Sequence, residues 1–133
     1  MEIAPRPPTG KGSAEIFTGD VLVDPITRAL PPSLRNVTAV RAGPGARNAW
    51  PFPERGQAHC VTEGRGLVQV LGQNAVELHP GDVVFAPPGE GHGHGATSGA
   101  LMTQLSISGG AARRGDHVTD DEYAGARPRK EAR

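Results

Sequence analysis

From position 57 onward, short β-favouring runs are cut at regular intervals by residues that force turns, and this punctuation limits the fold more than any other feature. The segments 57–63, 66–71, 76–78, 83–85 and 101–108 are candidate strands, rich in Val, Leu and Ile. Between them stand Glu63-Gly64-Arg65-Gly66, Gly72-Gln73-Asn74 and His79-Pro80-Gly81-Asp82, which accept a positive φ or preset a bend. Strands this short and this close leave no room for crossover helices, so the fold class is all-β, a sandwich or barrel, and a parallel βαβ sheet is excluded. With 19 glycines and 13 prolines a helix bundle is excluded too, while a hydrophobic share of 36% places the chain among folded domains.

At 133 residues the chain has the length of one domain. Upstream, 16–17, 21–23 and 37–40 read as early strands, separated by Asp24-Pro25 and Leu30-Pro31-Pro32. Residues 1–14, rich in proline, glycine and charge, form an N-terminal arm. The folded domain covers 15–126, and 127–133 form a charged tail. A single helix signal comes late, where Thr119 is followed three residues on by Glu122, the capping-box spacing.

Charge excludes several functions. Lys and Arg number 14, Asp and Glu 14, so no net field draws nucleic acid or an anionic membrane. One tryptophan, Trp50, and one tyrosine, Tyr123, give little material for base stacking. Cys60 is the only cysteine, which rules out an internal disulfide. No apolar run approaches a membrane span, and the N-terminus lacks a secretory pattern, so a cytoplasmic location is expected.

Two stretches carry the site. The first runs from Gly45 through Arg47-Asn48-Ala49-Trp50-Pro51-Phe52-Pro53 to Gln57 and Gly64. The second is Gly81-Asp82 followed by Pro87, Gly89 and His92-Gly93-His94-Gly95. Together they resemble the two motifs of the cupin superfamily, the second in full and the first in its spacing only. Along almost the whole chain the sequence is similar to small single-domain bacterial cupins, including manganese-dependent hydroxynitrile lyases and carboxymuconolactone decarboxylase-associated cupins. The resemblance implies a double-stranded β-helix (jelly-roll) barrel with a short C-terminal helix, and a homodimer. It also implies a divalent metal held by two histidines and a glutamine of the first motif and the first histidine of the second.

Here Gln57 and His92 occupy the last two of those positions, while Pro51 and Pro53 stand at the histidine pair. A proline side chain has no lone pair to give a metal. The family's metal motif is therefore degenerate, and absence of a cofactor is expected ahead of a divalent ion such as manganese. One rearrangement stays open, because strand side chains alternate and Gln57 shares a face with His59, as His92 does with His94. Beside that reading, His59 is equally placed as a hydrogen-bonded core residue and His94 as a brace behind His92. Cys60 alternates away from Gln57 and packs outside.

The candidate catalytic residues are His92, His59, Asn48 and Gln104. An imidazole moves protons near neutral pH, and an amide orients a carbonyl or hydroxyl. Asn48 falls where the family places a small polar residue near substrate, and Gln104 where lyase relatives can present a histidine. Three functions remain open. First is metal-independent acid/base chemistry of isomerase, cyclase or lyase type on a small molecule. Second is a metal-dependent lyase or oxidoreductase with a rearranged shell, and third is a non-catalytic small-molecule-binding barrel.

Overall fold

The computed structural model describes residues 7–27, 35–109 and 112–123, with residues 1, 3 and 5. Among the described residues twelve strands follow in chain order. They are β1 (Gly10–Lys11), β2 (Phe17–Thr18), β3 (Val21–Thr27), β4 (Arg35–Ala42), β5 (Arg47–Pro53), β6 (Gln57–Gly64), β7 (Gly66–Val70), β8 (Val76–Leu78), β9 (Val83–Ala86), β10 (His92–Ala96), β11 (Met102–Gly109) and β12 (Ala112–His117). One helical turn, α1 (Asp120–Tyr123), ends the described chain. All pairings are antiparallel. One sheet has the order β1-β3-β4-β11-β6-β9, the other β12-β5-β10-β7-β8, with β2 on β5. This is the two-sheet all-β barrel that the turn spacing requires. Among the described residues no helix is long and apolar enough to cross a membrane.

The sheets enclose one core of Val21, Val40, Ala42, Val61, Leu78, Ala96 and Met102, contributed from both sides. A second cluster of Trp50, Leu67, Ala75, Val118 and Tyr123 packs α1 onto the second sheet. The capping box forms as expected: Glu122 N–H donates to Thr119 Oγ1 at 3.1 Å, and Thr119 N–H donates to Glu122 Oε1 at 3.0 Å. The buried Arg47 guanidinium fixes this corner by donating to the Val118 carbonyl at 3.0 Å and to Asp120 Oδ1 at 2.6 Å. Its ring contact with Tyr123 adds to the same anchor.

Some expectations need redrawing. Residues 10–11 of the arm already pair with β3. The strands β5, β10 and β12 were not among the candidate strands, although His92 and His94 were taken to share one strand face. The tail 127–133 lies outside the described residues.

Alternation along β6 is regular, with Gln57, His59 and Val61 buried and Ala58 and Cys60 half-buried between them. Register then builds rows across the inner face of the first sheet. Asn36, Ser108 and Gln57 form one, Thr38, Ser106 and His59 the next, and Val40, Gln104 and Val61 the third. Polarity therefore rises from one end of the barrel interior to the other. Facing it, β10 alternates histidine with glycine for a steric reason. A Cβ on Gly93 would lie 3.2 Å from Val118 Cγ2, one on Gly95 2.2 Å from the Ala46 carbonyl, and one on Gly91, just before the strand, 2.5 Å from the Phe52 ring. Glycine on the outer face lets β10 press against β5 while both histidines point inward.

Gly64 ends β6 with φ +78°, and a Cβ there would lie 1.9 Å from the Leu101 carbonyl oxygen. Gly64→Ala is expected to destabilise by more than about 2 kcal/mol, adding a backbone clash to the left-handed penalty. Gly72, with φ +83° and nothing within 4 Å, sets the comparison. Gly72→Ala costs only the backbone part, about 1 kcal/mol. Urea denaturation of both variants measures the difference; equal losses would remove the clash from the account.

Candidate functional site

Three imidazoles converge inside the barrel. His59 from β6 and His92 and His94 from β10 are buried, and one nitrogen from each lies within 4.8 Å of the others. His59 Nε2 and His92 Nε2 are 3.3 Å apart. The His59 and His94 rings pack with centroids 4.0 Å apart.

Hydrogen-bond chemistry fixes the tautomers, because a neutral imidazole has one donor and one acceptor nitrogen. His92 Nδ1 is 3.3 Å from the Glu90 carbonyl and must donate to it, which leaves Nε2 as an acceptor for His59 Nε2–H. His59 Nδ1 then carries a buried lone pair with no partner. For His94 the key is Asn48, whose Oδ1 accepts the His94 backbone N–H at 2.9 Å. That orients the Asn48 amide so that Nδ2 donates to His94 Nε2 at 2.9 Å. His94 Nδ1 must then carry the proton, and the Gln104 amide, whose Nε2 lies 2.6 Å away and whose buried Oε1 has no partner, must turn over to present its carbonyl oxygen.

All three imidazoles are held neutral. Burial, and then the neighbouring His92, pushes His59 down to about 3. His94 lies well below the usual histidine range through burial first, then His59, His92 and Arg114. His92 is lowered mainly by burial, with the Glu90 carbonyl and carboxylate opposing and Arg114 adding.

Beside the cluster opens a cavity of about 530 Å³. Asn48, Gln57, His94, Ser106, Ser108 and Arg114 line its polar side. Of the four candidate catalytic residues, Asn48 is on this wall. His59 and His92, each 1% exposed, pair behind it, and Gln104, 0% exposed, backs His94. His94, which the sequence offered as a brace, is the imidazole that belongs to both cluster and wall. Arg114 was not singled out in the sequence. It stands opposite Pro51 in the β12–β5 register, a relation no local pattern reveals.

The family's metal shell does not fit these residues. Pro51 and Pro53 are fully buried and offer no donor atom. Gln57 Oε1, buried without a hydrogen-bond partner, and His92 Nε2 are the two donors left in place. A rearranged shell from His59, His92 and His94 has the right ring chemistry, but both His94 nitrogens are held by amides, and the charge of Arg114 acts on His92 and His94.

The cupin domain pattern matches residues 39–108. The chain is 44% identical over 119 residues to an "(R)-mandelonitrile lyase" of Granulicella tundricola, covering 86% of this chain and 91% of the relative. Among solved structures, a cupin-like protein of Thermotoga maritima superposes with a TM-score of 0.82 at 35% identity, covering 92% of this chain and 95% of its own. The polyketide cyclase RemF of Streptomyces resistomycificus shares the fold with a TM-score of 0.69 at 19% identity, covering 92% and 90%.

The buried neutral imidazoles tie stability to pH. Below about pH 6.5 the unfolded chain binds protons that the folded chain refuses, so stability falls as pH drops from there toward about 3. Across that window His59 contributes a slope of about 1.4 kcal/mol per pH unit. His59→Leu removes it, and urea denaturation between pH 4 and 6.5 in chelated buffer should show a shallower dependence than wild type. Parallel curves would contradict the burial of a neutral His59.

Proposed function

The chain belongs to the cupin domain family, and from that premise we propose that it is a lyase-type enzyme acting by metal-independent acid/base chemistry on a small hydroxylated molecule in the barrel cavity. The observation that carries this reading is His94, an imidazole on the cavity wall with its tautomer fixed by Asn48 and its far nitrogen backed by Gln104. Family membership supports a lyase through the 44% identical relative named for that activity.

In this reading the substrate hydroxyl replaces Asn48 Nδ2 at His94 Nε2, and Asn48 turns its donor to the substrate oxygen. The hydroxyl proton passes to Nε2 as the oxygen's electrons form a carbonyl. The adjacent carbon–carbon bond breaks, and its electron pair leaves with the departing group, which takes the proton back from the imidazolium. Gln104 accepts Nδ1–H throughout and holds the ring. Burial makes the imidazolium a strong acid, which favours the return of the proton to the leaving group.

A second reading, a divalent ion on a rearranged shell, is favoured by one distance. The 3.3 Å between His59 Nε2 and His92 Nε2 is about the separation of two imidazole nitrogens on one tetrahedral ion. It requires His94 to leave an amide partner. One experiment separates the readings: turnover of mandelonitrile and a panel of other small α-hydroxy compounds by exhaustively chelated protein, with metal content measured alongside. Expected are unchanged turnover after chelation and a loss of at least about 100-fold in kcat/KM for His94→Ala. Loss on chelation with recovery on adding manganese selects the second reading, and ligand binding without turnover removes the enzyme.

The proposed assembly is a homodimer. Val83 and Phe85 are 68% and 67% exposed on β9, the edge of the first sheet, an apolar surface suited to a second copy. Phe85→Asp should convert a dimer to monomer in analytical ultracentrifugation; a monomeric wild type would discard this assembly.

A further inference from the structure

The cavity's charge is unbalanced. Arg114 and Lys11 line it, and no carboxylate does. Elsewhere among the described residues, arginines 41, 47 and 65 each find a carboxylate partner, and arginines 35, 55 and 113, away from this wall, do not. Arg114 shows no hydrogen bond or ion pair among the described residues. Arg114 is exposed to solvent where it lines the cavity, so an incoming anion can reach its guanidinium without displacing a protein partner.

The rest of the wall is built of neutral hydrogen-bonding groups in register. Thr38 faces Ser106 and Asn36 faces Ser108 across β4 and β11, and Gln57 continues the second row. Hydroxyls and amides of this kind solvate an anion's second oxygen and any hydroxyl beside it. The apolar remainder, including Phe17, Val23 and Val40, accommodates a small hydrocarbon body.

We propose that this cavity is an anion site in which Arg114 anchors the carboxylate of a small organic acid. Arg114 presents a planar fork that takes both carboxylate oxygens, and among the described residues no carboxylate of the wall occupies it. The inference rests on the cavity as the substrate site and adds the substrate's charge class to it. Lys11, on the arm strand β1, supplies a second positive charge at the rim, within reach of screening by salt.

The test is calorimetric binding to the full-length chain, without turnover. The probes are benzoate and (R)- and (S)-mandelate, each against its neutral amide. Carboxylates are expected to bind at least tenfold tighter than the amides, and Arg114→Gln to abolish that preference while leaving amide binding within about twofold. Arg113→Gln is the control, since Arg113 stacks on the Phe52 ring with its guanidinium carbon 4.0 Å from the centroid and does not line the cavity. Arg114→Lys keeps the charge without the fork and should retain part of the preference. Equal binding of acids and amides by the wild type overturns the proposal, as does a preference that survives Arg114→Gln or an absence of carboxylate binding up to 10 mM. Cleavage of neutral hydroxy compounds without carboxylate binding would sink the anion site and keep the lyase. Carboxylate binding without turnover of any hydroxylated substrate would do the reverse.

Discussion

Three imidazoles occupy one buried volume, and they can remain there only uncharged. Burial first and the neighbouring His92 second push His59 to about 3, and a proton on one ring disfavours a proton on the next. Neutrality forces each ring to choose a donor and an acceptor nitrogen, and the surroundings make that choice. The Glu90 carbonyl sets His92, His92 sets His59, and the Asn48 amide sets His94 through the strand's own backbone N–H. The site is thus a chain of forced tautomers. Its outer end, His94 Nε2, meets the cavity beside Asn48.

The sequence displayed the parts of this arrangement that are local. Period-two alternation put Gln57 with His59 and His92 with His94, and turn residues marked where most strands end. The Thr119–Glu122 capping box could be read from spacing because its hydrogen bonds span three residues. What stayed hidden depends on pairing between distant segments. Asn48 and His94 lie 46 positions apart, and Gln104, only ten positions from His94, meets it because β11 and β10 belong to different sheets, which no local pattern reveals. Arg114 meets the cavity only because β12 folds back on β5.

Strand β5 shows why pattern reading failed at one central element. Pro51 and Pro53 lack the N–H that a ladder needs, so a segment carrying both scores poorly as a strand. Their carbonyls still serve, and β12 pairs along this stretch through Ala112, Arg113 and Arg114. On the other side β10 is registered with β5 only at Gly95 and Arg47, away from the prolines. The prolines therefore sit where little hydrogen bonding is lost. Their buried rings fill space where the family motif has histidines, which removes donors from the metal shell without opening the barrel.

Arg114 links the loss of that shell to the chemistry. Its charge adds to the lowering of His92 and His94, after burial and, for His94, after the two neighbouring imidazoles. A carboxylate on the guanidinium would cancel most of that last contribution, while burial and the neighbouring imidazoles, the larger causes, keep His94 low. In the proposed anion site the guanidinium opposite Pro51 would therefore select by charge at binding, and the strength of the base would be set by the buried cluster.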